Sequence, residues 1–198
     1  MEFADDVFTR SQVEFVKTDL ETRWYFPLLN PFILRLNGQL GIVSNIDPRK
    51  PVPLQERYLI GGPQTIRGFQ RFSLGPTRDT PRASEDYGSP LTPFRLGGTK
   101  QLLLTAEIEF PIFTAINLRG VVFADAGNAF DTNQPFTLVP DLFQNDANDF
   151  DDALRTAVGF GFRWFSPIGL LRFEWGIPLR RLSTEDPLVF DFSIGNAF

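Results

Sequence analysis

Residues 101–110 read QLLLTAEIEF. Leu102, Leu104, Ala106, Ile108 and Phe110 fall on one face of an extended chain, and Gln101, Thr105, Glu107 and Glu109 on the other. Side chains of a strand point alternately to opposite faces, so this stretch is a β-strand with one greasy and one charged side. The same design recurs in both directions. After a turn at Pro111–Asn117, residues 118–130 read LRGVVFADAGNAF, with Arg119, Phe123, Asp125 and Gly127 opposite Leu118, Val122 and Ala124.

Upstream, residues 13–26 set Val16, Leu20, Trp24 and Phe26 against Lys17, Asp19, Glu21, Arg23 and Tyr25. Residues 32–43 set Phe32, Leu34, Leu36, Leu40 and Ile42 against Arg35, Asn37 and Gln39. Downstream, residues 153–165 alternate Leu154, Val158, Phe160, Phe162 and Trp164 with Arg155, Gly159, Gly161 and Arg163. Residues 170–180 alternate Leu171, Phe173, Trp175, Ile177 and Leu179 with Arg172, Glu174 and Arg180. The sequence ends with Leu188, Phe190, Phe192, Ile194 and Phe198 on one face, and Asp191, Ser193 and Gly195 on the other.

These are seven strands of about ten residues, the length that crosses a bilayer when tilted. Short turns (PLLNP, PIFTAIN, SPIG) alternate with long loops at residues 44–96 and 131–152, the asymmetry of transmembrane barrels. Trp24, Phe26, Trp164 and Phe165 fall beside the short turns, where an interfacial aromatic girdle belongs. A soluble antiparallel sheet would also alternate. Here, however, no helical pattern is available to cover a sheet, and the greasy face is rich in Phe and Trp. Hydrocarbon admits only structures whose backbone groups are satisfied internally, and a barrel is one of two. The expectation is an all-β, antiparallel transmembrane β-barrel of seven or eight strands, Met1–Phe8 being the stub of an eighth. It either closes as a small barrel or forms the C-terminal half of a sixteen-stranded one. An eight-stranded barrel is filled by its own side chains, so a loop of about fifty residues could not also sit inside it.

Composition narrows function. The 198 residues carry a net charge of −5, no Cys and no His. Negative charge argues against a nucleic-acid partner. The missing residues remove thiol nucleophiles, the commonest general base and the commonest metal ligands. No enzyme activity, cofactor or metal is expected. The acidic segment 131–152 lacks the ligand spacing of a calcium loop and is read as a solvated loop. No apolar run reaches the length of a transmembrane helix, and the N-terminus is not a signal peptide. All 198 residues read as one barrel domain.

Within the first long loop, Arg57–Pro76 reads RYLIGGPQTIRGFQRFSLGP. Gly61, Gly62, Gly68 and Gly75 allow backbone angles and close approaches that other residues resist. Arg67 lies between the apolar anchors Ile66 and Phe69. Adjacent antiparallel strands put same-face residues within about 5 Å, so Glu107 and Glu109 on one strand lie beside Asp125 on the next. Paired carboxylates favour a cation between them, and the planar fork of arginine suits two of them better than lysine does.

These motifs resemble the outer-membrane protein-85 superfamily, the BamA-like barrel-assembly and surface-antigen family, over its C-terminal barrel half. The matches are the loop motif Ile66-Arg67-Gly68-Phe69 with RYLIGG before it and SLGP after it; the strand motif Phe123, Asp125 and Gly127; an acidic strand position best matched by Glu109; and WFSPIGLLRFEWGIPL. The ending with Phe190, Phe192, Ile194 and Phe198 resembles an outer-membrane targeting signal. The resemblance implies that the loop folds into the lumen and that Arg67 meets Glu107, Glu109 and Asp125 there. It implies a bacterial or organelle outer membrane and a role in inserting or exporting other proteins. The implied partners are the lipid bilayer, unfolded outer-membrane clients, and periplasmic accessory domains or lipoproteins. The family's periplasmic POTRA domains are not found in the sequence. The competing expectations are a passive barrel acting as an anchor or pore, as in patatin-like relatives, and a soluble lipocalin-type barrel.

Overall fold

The computed structural model describes residues 15–47, 49, 51–78, 94–132, 153–167, 169–182 and 185–195. Seven strands form one antiparallel sheet: β1 (Phe15–Pro27), β2 (Ile33–Asn45), β5 (Lys100–Phe113), β6 (Leu118–Phe130), β7 (Arg155–Ser166), β8 (Gly169–Pro178) and β9 (Val189–Ile194). Two short strands, β3 (Thr77–Arg78) and β4 (Phe94–Arg95), pair separately within the long loop. The sheet order is β1-β2-β5-β6-β7-β8-β9, a meander in chain order. Among the described residues no ladder joins β1 to β9. The expected stub of an eighth strand, Met1–Phe8, lies outside the described residues, as do Phe198 and nearly all of the acidic segment 131–152.

The greasy side faces outward. Val16, Leu20, Trp24, Leu104, Val122, Phe160, Phe162, Phe190, Phe192 and Ile194 are all exposed, and so are the girdle residues Phe26, Trp164 and Phe165. A soluble sheet packed on this face, including the lipocalin expectation, is therefore wrong: none of the described residues covers it. The outer aromatics pack against one another across strands, Trp175 stacking on Phe160, meeting Phe162 edge-on and Phe190 at a tilt, at 5.5, 6.0 and 5.0 Å between ring centroids.

Two expectations need correction. Pro111 belongs to β5, not to the turn. A register shift between Pro111 and Phe113 accommodates it, because a bulge is where a strand tolerates a residue without a donor. The turn is then a single 3-10 turn, Thr114–Ile116, closed by Asn117 in the left-handed region. The described part of the segment 44–96, chiefly residues 51–78, is also more ordered than its prolines suggest. It folds back on itself through a Leu54–Glu56 turn and the bridges Tyr58–Gly98 and Ile60–Leu74. It lies against the charged side of the sheet. Of the two expected forms, the closed small barrel is not the one adopted: the loop occupies the space that an eight-stranded barrel would have to fill with side chains.

The orientation is testable. Leu104→Arg on the outward face should lower stability by about 2–4 kcal/mol near the bilayer midplane. Gln39→Ala on the opposite face should change it by less than about 0.5 kcal/mol. Urea unfolding in vesicles, followed by tryptophan fluorescence, measures both; equal effects would contradict the assigned faces.

Candidate functional site

The loop carries its own apolar foot. Tyr58, Ile60, Ile66, Phe69 and Leu74 are buried and pack with Val43, Leu103, Ala129 and Ala157 of the inner wall. Burying each large aliphatic or aromatic side chain contributes about 1.5–3 kcal/mol, so this foot holds the loop before any charge is considered. At the apex the contact is backbone on backbone. Gly68 has φ +87°, and a Cβ there would lie 3.0 Å from the Gly176 carbonyl carbon of β8. A Cβ at Gly176 would in turn lie 2.5 Å from the Gly68 Cα. Neither position has room for a side chain.

That approach delivers Arg67, only 4% exposed, into a nest of carboxylates. Its Nε donates to Asp125 Oδ2 at 2.7 Å and its Nη2 to Asp125 Oδ1 at 2.8 Å, a two-pronged pair. The Arg67 backbone N–H also donates to Asp125 Oδ2, at 3.1 Å. Nη1 donates to Glu107 Oε2 at 2.7 Å and to Glu174 Oε1 at 3.3 Å. The guanidinium carbon lies 3.5 Å from the centroid of the Phe123 ring. That ring covers Gly159, where a Cβ would collide with it. Burial alone works against the charge, but the hydrogen bond and attraction of Asp125, then of Glu107 and Glu174, outweigh it and hold Arg67 still more firmly protonated.

Glu109 is not a partner of Arg67. It lies two residues farther along β5 toward the turn, roughly 7 Å at strand rise. There it meets other arginines: Arg119 Nη1 at 2.5 Å, Arg35 Nη2 at 3.0 Å and Arg163 Nη1 at 3.3 Å. The third carboxylate on Arg67 is Glu174, which the sequence reading left among ordinary inward-facing residues.

Behind Arg67 stands a second tier. Arg163, 1% exposed, forks onto Glu107 through Nη1 at 3.0 Å and Nη2 at 2.6 Å, and reaches Glu174 at 3.0 Å. Arg172 donates to Glu174 Oε2 at 2.7 Å. A usable signal existed: Arg163 and Arg172 are direct cross-strand neighbours in β7 and β8. Like charges so placed repel, so a carboxylate must lie between them. Gly161 makes the space, since a Cβ there would lie 2.8 Å from Glu174 Cγ.

The loop has another fastening near its start. Tyr58 lies over Gly41, donates its hydroxyl to Asp19 Oδ1 of β1 at 2.7 Å, and carries Lys17 Nζ 4.9 Å above its ring. Burial, together with that Asp19 carboxylate, keeps the Tyr58 hydroxyl protonated above the ordinary tyrosine range. Of the other expected residues, Ile66 and Phe69 belong to the apolar foot, and Gly127 lies under Ile66 and Leu103. Phe190, Phe192 and Ile194 point outward on β9, away from the loop. Among the described residues no acidic or sulfur cluster could hold a metal ion; the buried carboxylates face guanidinium groups.

A chain with these outward and inward faces and this loop was compared with known proteins. The Omp85 superfamily domain profile matches residues 1–198. The chain belongs to the Omp85 superfamily. It is 28% identical over 202 residues to the outer membrane protein assembly factor BamA of Neisseria meningitidis serogroup B, covering 95% of this chain and 24% of that protein. It is 29% identical over 187 residues to BamA of Nitratidesulfovibrio vulgaris, covering 93% and 21%. The chain thus spans less than a quarter of the length of these relatives. Among solved structures, BamA from Haemophilus ducreyi lacking POTRA domains 1–3 superposes with a TM-score of 0.72 at 23% identity, over 93% of this chain and 35% of that one. The fold is therefore part of a BamA-type barrel, and the Omp85 chain is placed in the bacterial outer membrane.

Arg67→Ala would leave Asp125 buried without its counter-charge, keeping of the bonds described above only the one from the residue 67 backbone N–H. The expected loss is about 3–5 kcal/mol. The Arg67→Ala, Asp125→Asn double variant should lose clearly less than the sum of the two single variants, as contacting residues do. Urea titration of all three variants in detergent checks this, and strict additivity would show that the two residues do not act as a pair.

Proposed function

We propose that this chain is the outer-membrane barrel portion of a protein that assembles, inserts or exports other outer-membrane proteins. The observation that carries the proposal is the loop motif itself. In a chain of this family, Arg67 fastens a long loop to three strands of the inner wall. The relatives named outer membrane protein assembly factors support the assembly role.

The mechanism needs no covalent step, so the chain works as a binding surface, not an enzyme. Its clients are unfolded outer-membrane proteins, and its medium is the lipid bilayer. Periplasmic accessory domains or lipoproteins would deliver the clients. Among the described strands β9 is the last of the sheet, and a strand edge presents a row of N–H and C=O groups to an incoming strand. The docked loop keeps the inner wall in one arrangement while that edge exchanges partners. A passive anchor or pore is the competing function; a loop packed along the inner wall fits poorly with an open conduit.

Reconstitution decides between them. Vesicles holding the full-length protein should speed folding of a urea-denatured client barrel, scored by heat-modifiable gel mobility. Arg67→Ala should reduce that rate by at least about tenfold if loop docking is needed in the rate-limiting step. Ion conductance in planar bilayers without any acceleration of client folding would establish the passive barrel instead.

A further inference from the structure

Phe69, the aromatic of the loop motif, has a partner that the arginine site does not involve. Its ring centroid lies 4.9 Å from the guanidinium carbon of Arg155, at the start of β7. Both side chains are buried. The same guanidinium is fastened to the connection between β8 and β9. Nη2 of Arg155 donates to Glu185 Oε2 at 2.5 Å and to the Arg180 carbonyl at 3.2 Å. Glu185 in turn ties that connection to itself. It accepts from the Leu182 backbone N–H at 2.8 Å, and its carbonyl accepts from Arg181 at 3.2 Å. One residue beyond each partner, Gln70 of the loop donates to Asp186 of the connection at 2.9 Å.

We propose that Arg155 is a positioning residue that couples the seat of the loop to the β8–β9 connection, and through it to the edge strand β9. The inference rests on the reading that loop docking matters for assembly, but its physical content is a linkage between two segments. The argument is geometric. A buried guanidinium attracts an aromatic face most strongly when it is desolvated and held still. Glu185 and the Arg180 carbonyl hold it still. If the connection moves, Arg155 loses its anchor and Phe69 loses an oriented cation. If the loop leaves, Arg155 loses the ring that shields it from water. Binding energies linked in this way are reciprocal.

Hydrogen exchange on the full-length protein in detergent tests the linkage without any client. The reporters are the loop amides of Gly62, Arg67 and Leu74, bonded to the Ile66 carbonyl, Asp125 and the Ile60 carbonyl. Glu185→Ala, made in a Gln70→Ala background that removes the direct bond from the loop to Asp186 and compared with that background alone, should speed their exchange on the order of tenfold. The β5–β6 ladder should not change. Phe69→Leu, which keeps an apolar side chain but no ring, should have a similar effect. The double variant should be no faster than the faster single one, because both act through Arg155. Multiplicative effects, unchanged loop exchange in Glu185→Ala, or equal acceleration along all the strands would each overturn the proposal. Arg155→Lys, which keeps the charge and loses the fork, should fall between the wild type and Glu185→Ala. Loss of client folding with an intact exchange pattern would count against the proposed function and leave the linkage standing.

Discussion

A buried guanidinium cannot be left without counter-charge, and that constraint organises the inner half of this structure. Removing an ion from water costs several kcal/mol even after the protein relaxes. Arg67 recovers this only because Asp125, Glu107 and Glu174 converge on it from β6, β5 and β8. The requirement is local. The cluster around Arg67 already holds four arginines, Arg35, Arg119, Arg163 and Arg172, against the four carboxylates Glu107, Glu109, Asp125 and Glu174. Without Arg67 that cluster is neutral in sum, yet none of the described pairs of those four arginines is with Asp125. The attraction that draws the loop in comes from one carboxylate pointed at an empty place, not from a general negative field.

Charge sets where the loop sits; apolar contact and glycine set how deeply. The foot formed by Ile60, Ile66, Phe69 and Leu74 packs beside the ion cluster, whose members Arg67, Glu107, Asp125 and Glu174 are all buried. A drier site strengthens every charge-assisted bond within it. The paired glycines Gly68 and Gly176 bring two backbones into contact, which is what lets a side chain as long as Arg67 reach past Asp125 to Glu107 and Glu174. A Cβ at either position would push the apex outward and lengthen those bonds first.

Much of this was legible in the sequence because a period of two carries the face of every residue. All seven strands, their outward faces and the inward placement of Glu107 and Asp125 follow from parity alone, whereas the inward placement of Arg67, a loop residue, is what the family resemblance implies. Parity says nothing about height along the strand, and there the reading failed. Glu109 has the correct face but sits one pleat too near the turn, so it serves Arg35 and Arg119. Glu174 has the correct face and height, but on a strand three places away in the chain; only the path of the loop over β8 brings it to Arg67. The order within residues 51–76 was hidden for a related reason. Prolines forbid ladders, yet a loop can be fixed by side chains docking on a wall whose shape the loop's own sequence does not encode.

The loop also supplies a connection that the ladders of the sheet lack. Ladder hydrogen bonds join each strand only to its neighbours, so β5 and β8 are connected only through β6 and β7. Arg67 joins β5, β6 and β8 directly, and Phe69 reaches Arg155 on β7. At its other end the loop holds β1 through Tyr58 and Asp19. A twisting motion that slides neighbouring strands past one another strains each ladder only slightly. The same motion separates Asp19 from Glu174 by the accumulated sum of the slips, and the loop, bound at both places, must resist it. Seating the loop therefore stiffens the sheet against the long-range shear that its ladders oppose least. Releasing the loop would leave β1 and β8 linked by the intervening ladders alone.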